Sequence, residues 1–346
     1  MAEHSTIEWT DATWNPITGC SVVSPGCTNC YAMKLAGTRL QHHPSRTGLT
    51  TMSKAGPVWN GQVRFNLDWL LQPLQWKTPR KIFVCAHGDL FADGVPDAWI
   101  DQVFAVMALA PQHTFQVLTK RSGRMREYFE SRSDARSPTG FQCPRINHIL
   151  NVADRMARTD HPLAFRALAE LLLAGKVTAH FPNVWLGTTT EDQQRADERR
   201  DDLAELAKQG WTTFVSYEPA IGPIDWSGWG FLSQLISGGE SGSGARPSHP
   251  DWHRASRDFC DRHGIAYFFK QWGAWEVAVD RGRDDPDWRL DYTRKFGNHG
   301  NTKWINLAGG CGFHGDRFHV MRRVGKAAAG RLLDGIEHNG MPEVRE

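Results

Sequence analysis

The sequence predicts an α/β protein built on a parallel sheet, open or barrel-like. Three observations carry that reading. Short apolar segments alternate with amphipathic helices, polar residues suited to chemistry recur directly behind those segments, and 346 residues with 40% hydrophobic content are ample for a large core. The formal net charge is only +2, so contact with nucleic acid would need a local basic patch. No stretch approaches 18 uninterrupted apolar residues, which predicts no membrane span. The first residues lack a basic region followed by an apolar run, which predicts a cytoplasmic location.

The elements follow in order. Residues 82–86 make a compact apolar strand ending in His87-Gly88-Asp89. Pro96 then opens a helix whose Trp99, Val103, Val106, Met107 and Ala110 recur at helical spacing. A strand over 114–118 leads through Thr119-Lys120-Arg121 to a short helix over 125–129. The strand over 183–187 runs into Thr188-Thr189-Thr190-Glu191 and a highly charged helix over 193–208. Strands over 212–216, 231–237 and 265–269 complete six, with a helix from Pro250 to about 263 between the last two. Asp89, Lys120, Glu191, Glu218, Glu240 and Gln271 all fall just after strands, at the functional face of a parallel α/β fold.

Two stretches break this rhythm. Residues 132–182, Ser/Pro/Gly-rich and then helical over 146–173, read as an insertion. Residues 276–320, dense in Asp, Arg and Gly, read as a surface excursion before a tail helix over 325–333. The predicted division is 1–275, carrying the insertion, and 276–346.

The seven Cys are an odd number, which argues against a disulfide framework and leaves free thiols or metal ligands. Cys20, Cys27 and Cys30 form a Cys-x6-Cys-x2-Cys array on a Gly-, Ser- and Pro-rich loop, short enough for three thiolates to converge on one metal centre. A helix is expected to start near Cys30. A structural zinc site would take its fourth ligand from Cys85, Cys143, Cys260, Cys311 or a histidine. An iron–sulfur cluster on three cysteines leaves one iron open to a substrate or cofactor, and three ligands instead of four favour it. Unrelated buried thiols are the third reading.

Segments 7–31, 115–121, 184–191, 214–219, 237–242, 268–273 and 325–335 resemble a phage-associated three-cysteine-motif family of poorly defined function. That family is similar to a distant branch of the radical S-adenosylmethionine (SAM) enzymes, nearest to spore photoproduct lyase. The resemblance implies a partial (β/α)6 TIM-like barrel with a [4Fe–4S] cluster on Cys20, Cys27 and Cys30, and SAM on the open iron. The chain departs from the radical SAM pattern in its first cysteine gap, six residues instead of three, and in placing Asn29 where an aromatic residue precedes the last Cys.

Further roles follow from the resemblance. Asp89, with Glu240 second, would hold the SAM ammonium, since Gly238-Gly239-Glu240 spells the triplet that does so in that superfamily but stands on a later strand. Lys120 and Arg121 would meet the SAM carboxylate or a substrate phosphate. Thr188, Thr190 and Glu191 would hold the ribose hydroxyls, and Glu218 adenine or substrate. Cys85 and Tyr217 are the candidate hydrogen-atom donors. The implied activity is repair or modification of a nucleic acid, DNA foremost, with an electron-donor protein and room for a further protein partner. The basic run 120–126, the tail residues Arg322, Arg323, Lys326 and Arg331, and any exposed members of the 15 Trp would contact it. The alternatives are a non-catalytic zinc-binding module for nucleic acid or a protein partner, and a radical SAM enzyme acting on a small molecule or peptide.

Overall fold

The computed structural model describes residues 4–131, 144–160, 180–282, 284–285, 300–310 and 317–343. Its centre is a seven-stranded parallel sheet of β1 (Ala12–Trp14), β2 (Lys81–Val84), β3 (Thr114–Thr119), β4 (Val184–Thr190), β5 (Thr212–Tyr217), β6 (Gln234–Gly238) and β7 (Ala266–Gln271), in chain order. The helices are α1 (Tyr31–Ala36), α2 (Asp97–Ala108), α3 (Ser122–Glu130), α4 (Pro144–Asp160), α5 (Gln193–Lys208), α6 (Pro250–His263) and the one-turn α7 (Lys326–Ala329), with a further single turn over Leu67–Leu70. No helix among the described residues is long and apolar enough to cross a membrane.

The sheet is curled into a half-barrel. Strand spacing shows why it must be: laid flat, β2 to β7 would span about 24 Å. Yet Phe83, Leu118, Trp185, Phe214, Ile236 and Phe268, one from each of those strands, pack into one cluster closed by Trp9. Only a concave face brings them together. Residues of opposite parity, such as Val84, Val117, Leu186, Val215 and Leu235, face the larger core shared with the helices. β4, buried along its whole length, is covered on both faces.

The structure differs from the sequence reading in four places. First, there are seven strands in place of six. β1 has three residues and no apolar run to announce it; it forms because Ala12 and Trp14 bury wholly beside β2, with the Trp14 indole donating to the Trp69 carbonyl at 2.7 Å. Second, β6 begins at Gln234, not 231. Third, the excursion contains a small antiparallel sheet of β8 (Trp275–Gly282), β9 (Thr302–Ile305) and β10 (Arg317–Arg323), with β10 in the middle. Its charged residues hide the strands because they pair across them, as Arg322 does with Glu276 directly opposite. Fourth, the tail helix is only α7, ending at Gly330, whose φ is +69°.

The chain then lies along β7, where Phe269 N–H donates to the His338 carbonyl at 3.0 Å and Gly340 N–H to that of Tyr267 at 2.8 Å. This covers a sheet edge that would otherwise be open. Within the insertion, α4 docks on α2 through Arg145, which donates to Asp101 at 3.1 Å. Residues 161–173 of the predicted insertion helix lie outside the described residues, as do Cys143 and Cys311.

Candidate active site at the strand ends

A cavity of about 580 Å³ opens above the aromatic cluster, at the carboxyl ends of the strands. Cys20, Cys27 and Cys30 all line it. Their loop follows β1 and ends where Cys30 caps α1, as the sequence predicts. The loop is tied to both sides of the half-barrel. Arg121, after β3, donates to Cys20 Sγ at 3.6 Å and to the Ser21 hydroxyl at 2.5 Å. Ser24 donates to Glu191 Oε1, after β4, at 2.9 Å. Beyond β6, Arg246 donates to the Pro25 carbonyl at 3.0 Å, and Asn29 donates to that of Gly244 at 2.8 Å. Gly26 sits so close to Glu191 that a Cβ there would stand 2.6 Å from its carboxyl carbon. Trp59, with Ala32, Met33, Ala36 and Leu49, shelters Cys20 and Cys30 from the far side.

Burial pushes the Cys20 thiol up to about 12, Asp89 adding to the rise and Arg121 opposing it. Burial also raises Cys30. Such thiols are protonated and unreactive unless a metal cation takes the proton's place. Glu191 beneath them is wholly buried. Burial alone would raise its carboxyl, but Lys120, Arg199 and the Ser24 hydroxyl outweigh that and hold it below its ordinary value.

Asp89 and Glu240, proposed for the cofactor ammonium, and Glu218, proposed for adenine or substrate, are all engaged. Asp89 accepts from Thr119 Oγ1 at 2.7 Å, Phe91 N–H at 2.9 Å and Arg121 at 2.9 Å, which makes it the group that aims Arg121 at Cys20. Glu240 takes a bidentate grip from Arg246 at 2.7 and 2.9 Å. Glu218 accepts from Lys270 at 2.7 Å and Gln271 at 3.1 Å. All three line the cavity, as do Lys120 and Lys270. Gly239 has a different job: a Cβ there would lie 2.1 Å from the Trp272 carbonyl oxygen, so the triplet's glycine lets the turns after β6 and β7 touch. Gly238, lying in β6 beside β7, is likewise absent from the cavity wall.

Four candidates fall on the wrong face. Tyr217 is buried among the helices and donates to the Gly222 carbonyl. Cys85 lies in the same core, in the left-handed region at φ +57°. Thr188 donates to the Thr119 carbonyl at 3.0 Å, and Thr190 is wholly buried. None of the four lines the cavity, nor does Glu191, which lies beneath the cysteine loop. For the three on β4 and β5 the reason is strand parity: Thr189 and Ser216, paired across those strands, are the hydroxyls that face inward. Cys85 shares the parity of inward Phe83 but follows the end of β2, in the left-handed conformation.

The basic residues offered for nucleic acid are also occupied. Arg124 donates to the Ala92 and Val95 carbonyls at 2.5 Å each, and Arg126 pairs with Asp202 at 3.4 Å. In the tail, Lys326 meets Glu8 at 3.0 Å and Arg323 donates to the Gly242 carbonyl at 2.9 Å. Eleven of the 15 Trp are buried, which leaves few to stack on bases. Sequence reasoning missed Ser24, Trp59, Thr189, Ser216, Arg246 and Lys270. Only the inward pair carried a signal, through strand alternation.

No curated protein and no solved structure is significantly similar to the chain. A family described as a protein of unknown function matches residues 4–342. That description carries no activity, so any functional reading must come from the residues themselves. The match covers nearly the whole sequence, and the chain belongs to this family, DUF5131.

Proposed function

We propose that this protein is an iron–sulfur enzyme of the radical SAM type, with a [4Fe–4S] cluster on Cys20, Cys27 and Cys30 and SAM in the adjoining cavity. The observation that carries it is the convergence of three cysteines from one eleven-residue loop on a cofactor-sized cavity at the ends of a curled parallel sheet. When bound, the pair would supply one-electron cleavage of the SAM sulfonium, giving a radical that removes hydrogen from substrate.

The chain's own residues suit that chemistry. Arg121 places a cationic donor on Cys20, a contact of the kind that tunes a cluster. Phe83, Leu118 and Trp9 line the cavity with apolar surface that limits water. Lys120 and Lys270 offer cations to a carboxylate, while Glu218 and Glu240 offer anions to an ammonium group by exchanging their present partners. Thr189 and Ser216 are placed to hold ribose hydroxyls, in place of Thr188 and Thr190.

A single zinc ion on the trio, with a fourth ligand from elsewhere, is the alternative: tetrahedral zinc draws thiolates to about 3.8 Å from one another, and among the described residues the three cysteines do not gather within 4.8 Å. The proposed substrate reaches into the cavity mouth, where Lys120 and Lys326 stand, while Arg124 and Arg126 of the basic run are held by the Ala92 and Val95 carbonyls and by Asp202. DNA repair and an electron-donor partner rest on the resemblance alone. Anaerobic reconstitution with iron and sulfide, then dithionite and SAM, tests the proposal. Formation of 5′-deoxyadenosine and methionine supports it; stoichiometric zinc with no cleavage overturns it.

A further inference from the structure

A second set of metal-type ligands lies outside the cavity, where the small sheet meets α6. His249 precedes Pro250 at the N-terminus of α6, Asp251 is in its first turn, and His319 is on β10. Their ligand atoms all lie within 4.8 Å of one another. Both histidines are wholly buried, with ring centroids 4.1 Å apart at 80°. His249 Nε2 has no hydrogen-bond partner although it is buried. An orphaned imidazole nitrogen beside a second imidazole and a carboxylate is costly to keep dry and asks for a ligand.

We propose that His249, Asp251 and His319 bind one divalent cation of the zinc class, which staples the small sheet to the half-barrel. The neighbouring groups are arranged as such a site requires. Asp280, on β8, stands 3.2 Å from His319 Nδ1 without hydrogen-bond alignment, near enough to become the partner of that nitrogen once Nε2, 3.3 Å from Asp251 Oδ2, takes up the ion. Asp251 Oδ1 is held by Arg254 at 2.7 Å, and Oδ2, the oxygen offered to the ion, has Arg317 at 3.8 Å. Arg254 also grips Asp280 at 2.7 Å, and Arg317 pairs with Asp280 as well, so the orienting carboxylate is itself fixed. His249 Nδ1 accepts from the Asp251 amide at 3.1 Å; ligation through Nε2 moves the ring proton to Nδ1 and exchanges that cap contact for a coordinate bond. Two imidazoles and a carboxylate, with no thiol, suit zinc and its cobalt substitute. Both histidines are wholly buried, and three protein ligands leave the ion a fourth position for water.

Cobalt(II) titration of the full chain carrying Cys20→Ser, Cys27→Ser and Cys30→Ser tests this independently of the iron–sulfur proposal. The expected result is one equivalent bound, with weak visible bands and no thiolate charge-transfer band. His249→Gln and His319→Gln should each lower affinity at least 100-fold, and Asp280→Asn, which removes no ligand, about 10- to 100-fold. Zinc should raise the melting temperature of the triple-serine protein, with no rise in either histidine variant. Failure of the triple-serine protein to take up cobalt, a thiolate band, or uptake unchanged in both folded histidine variants overturns the proposal. If the histidine variants do not fold, uptake by the triple-serine protein and its weakening by Asp280→Asn decide the matter.

Discussion

Cys20, Cys27 and Cys30 stand within eleven residues of one loop, whereas Asp251 meets His319 across 68 residues of chain. The first set is flexible in origin and must be held in place by others: Arg121, Ser24, Asn29 and Arg246 fasten the loop from strands on both sides. The second is brought together by a helix start and a sheet, with Arg254 and Arg317 bracing its carboxylates. A local motif therefore declares its ligands in the sequence but depends on distant residues for its shape. A topological site has its shape built in and leaves no motif.

The largest effect separating the two is expected from Cys27→Ser. It should remove the brown chromophore and cut 5′-deoxyadenosine formation at least 100-fold by chromatography, while His319→Gln leaves that rate within twofold. Next is the tether from below. Glu191→Ala strands Lys120 and Arg199 beside a buried void, and breaking a buried charge pair in this way costs about 3–5 kcal/mol, measurable by urea unfolding. Gly239→Ala drives a methyl into the Trp272 carbonyl and should cost roughly 1–3 kcal/mol. Were that glycine instead a cofactor contact, cofactor binding would fall with stability unchanged.

The pH dependence has a definite sign at His253, next to the histidine–aspartate cluster. Burial, then His249 and Arg254, push this imidazole down to about 3, and it bridges Ser237 and Ser248 at 2.6 and 2.8 Å. An unfolded histidine titrates near 6.5, so below that pH the unfolded chain binds a proton that the folded chain refuses. The resulting stability is complete above about 6.5 and drains as pH falls toward 3, by about 1 kcal/mol per unit. Urea midpoints at pH 7.5 and 5 should show the loss, and His253→Leu should flatten it. The smallest effect belongs to Tyr217→Phe, which loses one buried hydrogen bond worth about 1 kcal/mol and leaves SAM cleavage within twofold, because the hydroxyl faces the helices.

Much of the frame is legible in the sequence. The apolar segments over 82–86, 114–118, 183–187, 212–216 and 265–269 become strands because each can bury both faces, and Asp89, Lys120, Glu218 and Glu240 reach the cavity because they follow those strands. β1 is illegible because three residues carry no period. β8 and β10 are illegible because their charges neutralise one another only after pairing. That Thr189, and not Thr188 or Thr190, faces the cavity is illegible because position at a strand end does not fix which way a side chain points. Arg246 and Trp59 touch the cysteine loop only through the fold, and no spacing announces them.

The central claim is that three sulfurs hold a cluster with one iron left for an outside ligand. Electron paramagnetic resonance of the reduced, reconstituted protein with and without SAM tests it most directly. The account predicts four irons and four sulfides per chain and a reduced-cluster signal that shifts when SAM is added. One zinc per chain on the cysteines, or a cluster signal indifferent to SAM, would contradict it.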